Sequence, residues 1–196
     1  RGSPVYTETP AANTSAQAKE LAELAEANGT WGQVGFMKRF ADVYRMAQDI
    51  VSRPEFGPVH LVKCKFSQGP YPQIWGIDSA KRAMLIGQLC HIFDLIRFFG
   101  GDVKTVQAMY HEATPTQFAY FANLEFASGA MGQLDLNGLE CKQGFRDIVE
   151  ILQVVGFETN VVVEDMMHLR YQPREDFTAV APRAGRYVHE FKPTWT

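Results

Sequence analysis

"SAKRAMLIGQLCHIFDLIRFFGGDV", residues 79–103, is the stretch around which the rest of the chain is read. Taken as one helix, it places Leu85, Leu89, Ile92, Ile96 and Phe99 at i, i+4, i+7, i+11 and i+14, a continuous apolar stripe. Gly100-Gly101 then stops it, as glycine does just past a helix end. The opposite side carries Gly87, His91 and Asp94, with His91 and Asp94 three apart and so neighbours on one face. Met84, Leu95 and Phe98 flank these polar groups, so this face is not simply a solvated one. A helix apolar nearly all round is expected between two layers, where a histidine and a carboxylate have little water and perturbed pKa values. On pattern alone two readings of His91 stay open: a satisfied core histidine with Asp94 as a cap, or a functional imidazole.

The chain has 196 residues, room for one large domain or a domain plus part of another. Apolar content of 46% and charged content of 21% are those of a globular protein. A net charge of −3 leaves no excess of Lys and Arg to neutralise phosphates, which argues against nucleic acid as a partner. No basic cluster suggests a membrane surface, and the apolar runs fall well short of the roughly 20 residues a spanning helix needs. Cys64, Cys90 and Cys141 form no C-x-x-C pair, which fits a reducing, cytoplasmic compartment without disulfides. His60, His111, His168 and His189 have no ligand spacing, so no metal is expected. The opening Arg1-Gly2-Ser3 is compatible with a tag remnant, and the front of the chain with truncation.

In chain order, Val5–Thr7 is a short strand ended by Pro10. A helix follows, with Thr14 as N-cap, Gln17 completing a capping box, and Asn28-Gly29 as stop. Its expected buried stripe is Ala18, Leu21, Ala22 and Ala25. A strand at 31–36 and a helix at 41–51 complete a β-α-β-α alternation, the mark of a parallel unit. After Gly57-Pro58 the texture changes. Strands are expected at 59–66, 104–112, 117–126, 130–137, 146–155, 158–164, 166–171 and 186–191, most joined by turns too short for parallel crossovers. The fold expected is α+β: the end of a Rossmann α/β unit, then a large open, mostly antiparallel sheet with helices on one face. The expected division is 1–56 for the first part and 57–196 for the second. One long helix covers one face only, and exposed apolar sheet faces mark interfaces. The expected assembly is therefore a homodimer or homotetramer through the open face.

Four segments resemble the glucose–fructose oxidoreductase and inositol 2-dehydrogenase family, often called Gfo/Idh/MocA. "VYTETPAANTSAQAKELAELAEANG", residues 5–29, resembles that family's strand, E-K-P segment and helix. "QVGFMKRF", 33–40, is similar to its G-F-x-x-R-[FY] strand end. "QIWGID", 73–78, resembles its W-R-x-D loop, and "LIGQLCHIFDLIRFFGGDV", 85–103, its G-x-H-x-x-D helix ending in G-G-x-V. Each motif alone is weak; four in the right order carry the resemblance across essentially the whole chain. It implies an N-terminal Rossmann domain holding NAD or NADP, and a C-terminal sheet domain supplying the substrate site and the oligomer contact. The G-x-G-x-x-G turn of such a domain is not in this sequence. The resemblance therefore implies the back part of a longer protein, inactive by itself.

The implied chemistry is transfer of a hydride from a sugar or polyol carbon to a nicotinamide ring, with protein groups taking the hydroxyl proton. Carried over position by position, His91 is the implied catalytic residue. Glu8, Thr9 and Pro10 are the implied cofactor contacts, and Arg39, Trp75, Asp78 and Asp94 the substrate contacts. The match is incomplete. Thr9 stands where the family has lysine, and Gly87 where it has the aspartate one turn before the histidine. Leu89 replaces a glycine, and Gly76 an arginine. Lys81 and Arg82, standing where the family has a double glycine ahead of this helix, are candidates to replace the missing cation from a different backbone position. The alternative is a non-catalytic family member acting as a sensor or scaffold.

Overall fold

A computed structural model describes residues 2–140 and 147–174. The expected strand at 186–191, the start of that at 146–155, Cys141 and His189 lie outside the described residues. The front of the chain is a small parallel unit: β1 (Val5–Thr7), α1 (Ser15–Ala27) and β2 (Gly32–Val34), with β1 paired to β2. Thr14 caps α1, its hydroxyl accepting the Gln17 N–H at 3.2 Å, and Asn28 ends it. The stripe expected to be buried is not: no residue of α1 is buried, and Leu21 and Leu24 stand 52% and 53% exposed. The amphipathic pattern forms the helix it predicts, but its apolar side borders an open cleft with β1 and β2 instead of a closed core.

A 3-10 turn (Met37–Phe40) leads into α2 (Asp42–Val51), which packs against the far end of the main sheet with Val43, Tyr44, Ala47 and Ile50 buried. That sheet has seven strands: β3 (Leu61–Ser67), β4 (Val103–Thr114), β5 (Gln117–Phe126), β6 (Met131–Asn137), β7 (Val149–Val155), β8 (Asn160–Glu164) and β9 (His168–Gln172). Their order is β4-β5-β6-β3-β7-β8-β9. Every pair is antiparallel except β3 with β6, where the long excursion through the central helices, β4 and β5 allows a parallel return. Period-2 alternation puts Val62, Cys64, Phe66, Leu134, Leu136, Leu152, Val154, Val161 and Val163 on the helix-covered face. The other face carries Lys63, Lys65, Gln133 and Asp135 beside Met109, Phe121 and Met131.

The central segment is not the single straight helix expected. It is α3 (Ala80–Ala83), a π-helical turn (Met84–Gln88) and α4 (Cys90–Gly100), bent by 41° at the join. The i→i−5 bond from Leu89 N–H to Met84 O, 2.8 Å, marks the extra residue in the turn. The insertion rotates the stripe, so Leu89, Ile92, Ile96 and Phe99 are buried while Leu85 is only half-buried. Gly101, at φ 83°, ends α4. Among the described residues no single helix is long and apolar enough to cross a membrane.

Candidate active site

Three elements converge on His91. Strand β1 delivers Glu8-Thr9-Pro10, the turn after β2 delivers Phe36 to Arg39, and the π-to-α join presents Gly87 and His91 on one side. The Thr9 hydroxyl lies 3.1 Å from Nε2 of His91 and 3.2 Å from the Gly87 carbonyl oxygen. The ring is 9% exposed, Phe36 meets it edge-on at 6.1 Å between centroids, and its Nδ1 is buried without a hydrogen-bond partner. Burial lowers the His91 pKa below its ordinary value, and the Lys38 ammonium lowers it further, against the pull of Glu150, Asp94 and Glu8. The imidazole is therefore neutral at pH 7, a proton acceptor rather than a cation.

Gly87 is not vacant backbone. The Trp75 indole lies directly over it: a Cβ built there would sit 1.9 Å from the Trp75 ring. Trp75 takes a left-handed backbone, φ 56°, followed by Gly76 at φ 67°, and remains 46% exposed. The missing aspartate side chain and the tryptophan thus occupy one space. The sequence names both residues, but only the fold shows that one excludes the other.

Arg39 and Asp94 are brought together, though with each other. Arg39 Nε and Nη2 donate to Asp94 Oδ2 and Oδ1, both at 2.6 Å, and the guanidinium stacks on Phe98. This raises the Arg39 pKa and ties the 3-10 turn to α4. Its neighbour Lys38 turns the other way, into the core. There it pairs with Glu150, whose second oxygen accepts from the Tyr44 hydroxyl. Lys38 is 4% and Glu150 2% exposed. Sequence reasoning missed this pair. Its signal was Glu150 alternating with Leu152 and Val154, a carboxylate on the inward register of β7 and so in need of a cation.

Asp78 is not brought to His91; it is exposed and faces Arg82 at 3.7 Å. Lys81 reaches Glu112 at 3.5 Å and the Tyr110 ring, away from the site. Arg82 reaches the Asn13 carbonyl at 3.3 Å on the rim. Glu8 accepts from the Tyr6 hydroxyl at 3.1 Å, and the two lie across Gly35, where a Cβ would come within 2.5 Å of Tyr6 Oη. Thr9 to Asn13 form a wall shared by two clefts, of about 550 Å3 towards Trp75 and Leu24 and about 480 Å3 towards Phe36, Arg82 and Cys90.

A parallel β-α-β piece thus leads into an open sheet whose covering helix holds a histidine at the seam between them. A family described as the GFO/IDH/MocA C-terminal domain matches residues 44–152, and the chain belongs to this family. Inositol 2-dehydrogenase of Burkholderia cenocepacia is 26% identical over 151 residues, 74% of this chain and 43% of that protein. The rhizopine catabolism protein MocA of Rhizobium meliloti is 27% identical over 105 residues, 54% of this chain and 33% of that protein. Among solved structures, a dehydrogenase from Chromobacterium violaceum superposes with a TM-score of 0.84 at 22% identity, over 97% of this chain and 55% of that one. Levoglucosan dehydrogenase in complex with NADH and L-sorbose gives 0.77 at 16% identity, over 94% and 53%. These structural likenesses are of fold alone. The chain spans about half the length of the solved structures and under half that of the curated relatives.

Proposed function

We propose that this chain is the substrate-binding and oligomerisation part of an NAD(P)-dependent oxidoreductase acting on a sugar-like or polyol substrate, with His91 as its base. The observation that carries the reading is a neutral, nearly buried imidazole whose Nε2 meets the Thr9 hydroxyl on the wall of two open clefts. The sequence relatives named inositol 2-dehydrogenase support the substrate class. The wall of Pro10, Ala11 and Ala12 carries small, uncharged side chains, a lining that fits a nicotinamide ring, while a glycine-rich pyrophosphate turn is not among these residues. Thr9, Pro10 and Ala11 would border an oxidised nicotinamide there, which would supply the hydride acceptor. The chain's own residues do the rest. Trp75 offers an aromatic face for a sugar ring, Arg39 and Asp94 hold α4 in place, and His91 receives the hydroxyl proton. The chain's open sheet face, with Met109 76%, Met131 60% and Phe121 54% exposed, seats a second copy in a homodimer or homotetramer.

The test is the longer protein carrying this chain, given oxidised nicotinamide dinucleotide with myo-inositol or levoglucosan. Reduced cofactor is expected to accumulate, and His91→Asn to slow it roughly 10²–10⁴-fold. No reduction by the wild type with any polyol would overturn the reading. A second reading, a non-catalytic sensor or scaffold, is favoured by Thr9 in place of lysine and by Trp75 over Gly87. It predicts calorimetric binding of a polyol without turnover.

A further inference from the structure

We infer that Thr9 is a catalytic proton relay, whose hydroxyl takes the proton of the substrate alcohol while passing its own to Nε2 of His91. The inference rests on the oxidoreductase reading and assigns the route that reading leaves open. His91 is closed off in two ways: its ring is 9% exposed and its Nδ1 is buried. Its Nε2 faces Thr9 Oγ1 at 3.1 Å. Thr9 is half-buried and belongs to the walls of both clefts, so an alcohol arriving from either meets Thr9 before the imidazole.

A hydroxyl has one hydrogen to give and lone pairs to accept another, so it can hand on a proton without its own acidity mattering. No threonine alkoxide need persist. The Gly87 carbonyl, 3.2 Å from Oγ1, holds the oxygen in place and offers the hydrogen a resting acceptor. In the step, the substrate C–H bond breaks and its hydrogen leaves with two electrons to the oxidised nicotinamide dinucleotide carried by the longer protein. The substrate O–H bond breaks and a new O–H bond forms at Thr9 Oγ1. The former Thr9 O–H bond breaks and an N–H bond forms at His91 Nε2. The products are a ketone, a reduced cofactor and an imidazolium, with Thr9 unchanged. With Nδ1 buried and Nε2 facing Thr9, the proton returns to water through the same hydroxyl.

Two variants separate the hydroxyl from the shape: Thr9→Val keeps the bulk and loses the oxygen, and Thr9→Ser keeps the oxygen. On the 196-residue chain, nitrogen NMR of the His91 ring reads its proton exchange with water independently of any activity. Thr9→Val is expected to slow that exchange severalfold and Thr9→Ser to leave it unchanged; equal exchange in wild type and Thr9→Val overturns the relay. In the longer protein, Thr9→Val is expected to lower kcat roughly 10²-fold or more with KM unmoved, and Thr9→Ser to restore most of it. Activity kept in Thr9→Val overturns the relay and leaves the oxidoreductase reading standing. A wild type that oxidises no polyol overturns that reading, and with it the catalytic role of Thr9.

Discussion

Helices α1 and α4 are both amphipathic and both capped as their sequences foretell, yet one buries nothing and the other five residues. The difference is not in the helices. Helix α4 lies on β3 and β6, whose inward side chains were laid down by strand alternation, while α1 has only the short β1–β2 pair beside it. Periodicity says that a face is apolar; only the tertiary partner decides whether it is dry. Mutations should therefore cost most where the sheet body closes over charge or bulk, and least on α1.

The largest effect is expected at Lys38. Lys38→Met leaves the Glu150 carboxylate buried without its cation, and should cost about 3–5 kcal/mol in urea unfolding. The double variant Lys38→Met/Glu150→Leu removes both charges and should recover most of that loss. Additive losses instead would show that the pair is not one energetic unit.

Next comes the seam. Gly87→Ala would drive a Cβ to within 1.9 Å of the Trp75 ring, so the indole must leave. A net loss of roughly 1–3 kcal/mol is expected for this overpacking. In a Trp75→Ala background the same change meets open space, and alanine's better helix propensity should make it neutral or mildly stabilising. The cycle matters for function too. Gly87→Asp cannot restore the carboxylate the family resemblance expects unless Trp75 is first removed.

The pH dependence is smaller and follows from His91. Its folded pKa is lowered, chiefly by burial, so on acidification the unfolded chain takes up its proton first. Nothing is lost above the ordinary histidine range, where both states are neutral. Stability should fall as pH drops below that range, until the folded pKa is passed. The stability difference between wild type and His91→Gln, followed by urea midpoints, should change across that window and be flat above it.

Sequence alone made much of this legible, for identifiable reasons. Val62, Cys64 and Phe66 alternate, Gly101 follows the last apolar turn, and Thr14 precedes Gln17 by three; each is a local rule that the fold keeps. What stayed hidden was non-local. The π turn at 84–88 has no composition of its own, yet it decides which residues of the segment face Trp75. The resemblance names Arg39 and Asp94 separately and is silent on their pairing with each other. They are 55 positions apart, and no spacing rule links a turn residue to a helix residue that far along the chain. Lys38 carries no signal of its own in the sequence, and its partner Glu150 lies 112 positions along the chain on β7.

The smallest expected effect is the sharpest test of the comparison. Leu21→Ala and Leu24→Ala remove side chains already about half exposed, so within this chain each should change stability by no more than about 0.5 kcal/mol. Ile92→Ala, the same kind of truncation in α4, should cost about 2–5 kcal/mol, since Ile92 is fully buried and its cavity cannot close. The two leucines flank a cleft of about 450 Å3 whose wall runs over β1, α1 and β2, which leaves their side chains open to water. A loss at Leu24→Ala as large as that at Ile92→Ala would mean that α1 keeps its apolar side dry after all, and that the sheet beneath α4 is not what separates the two helices.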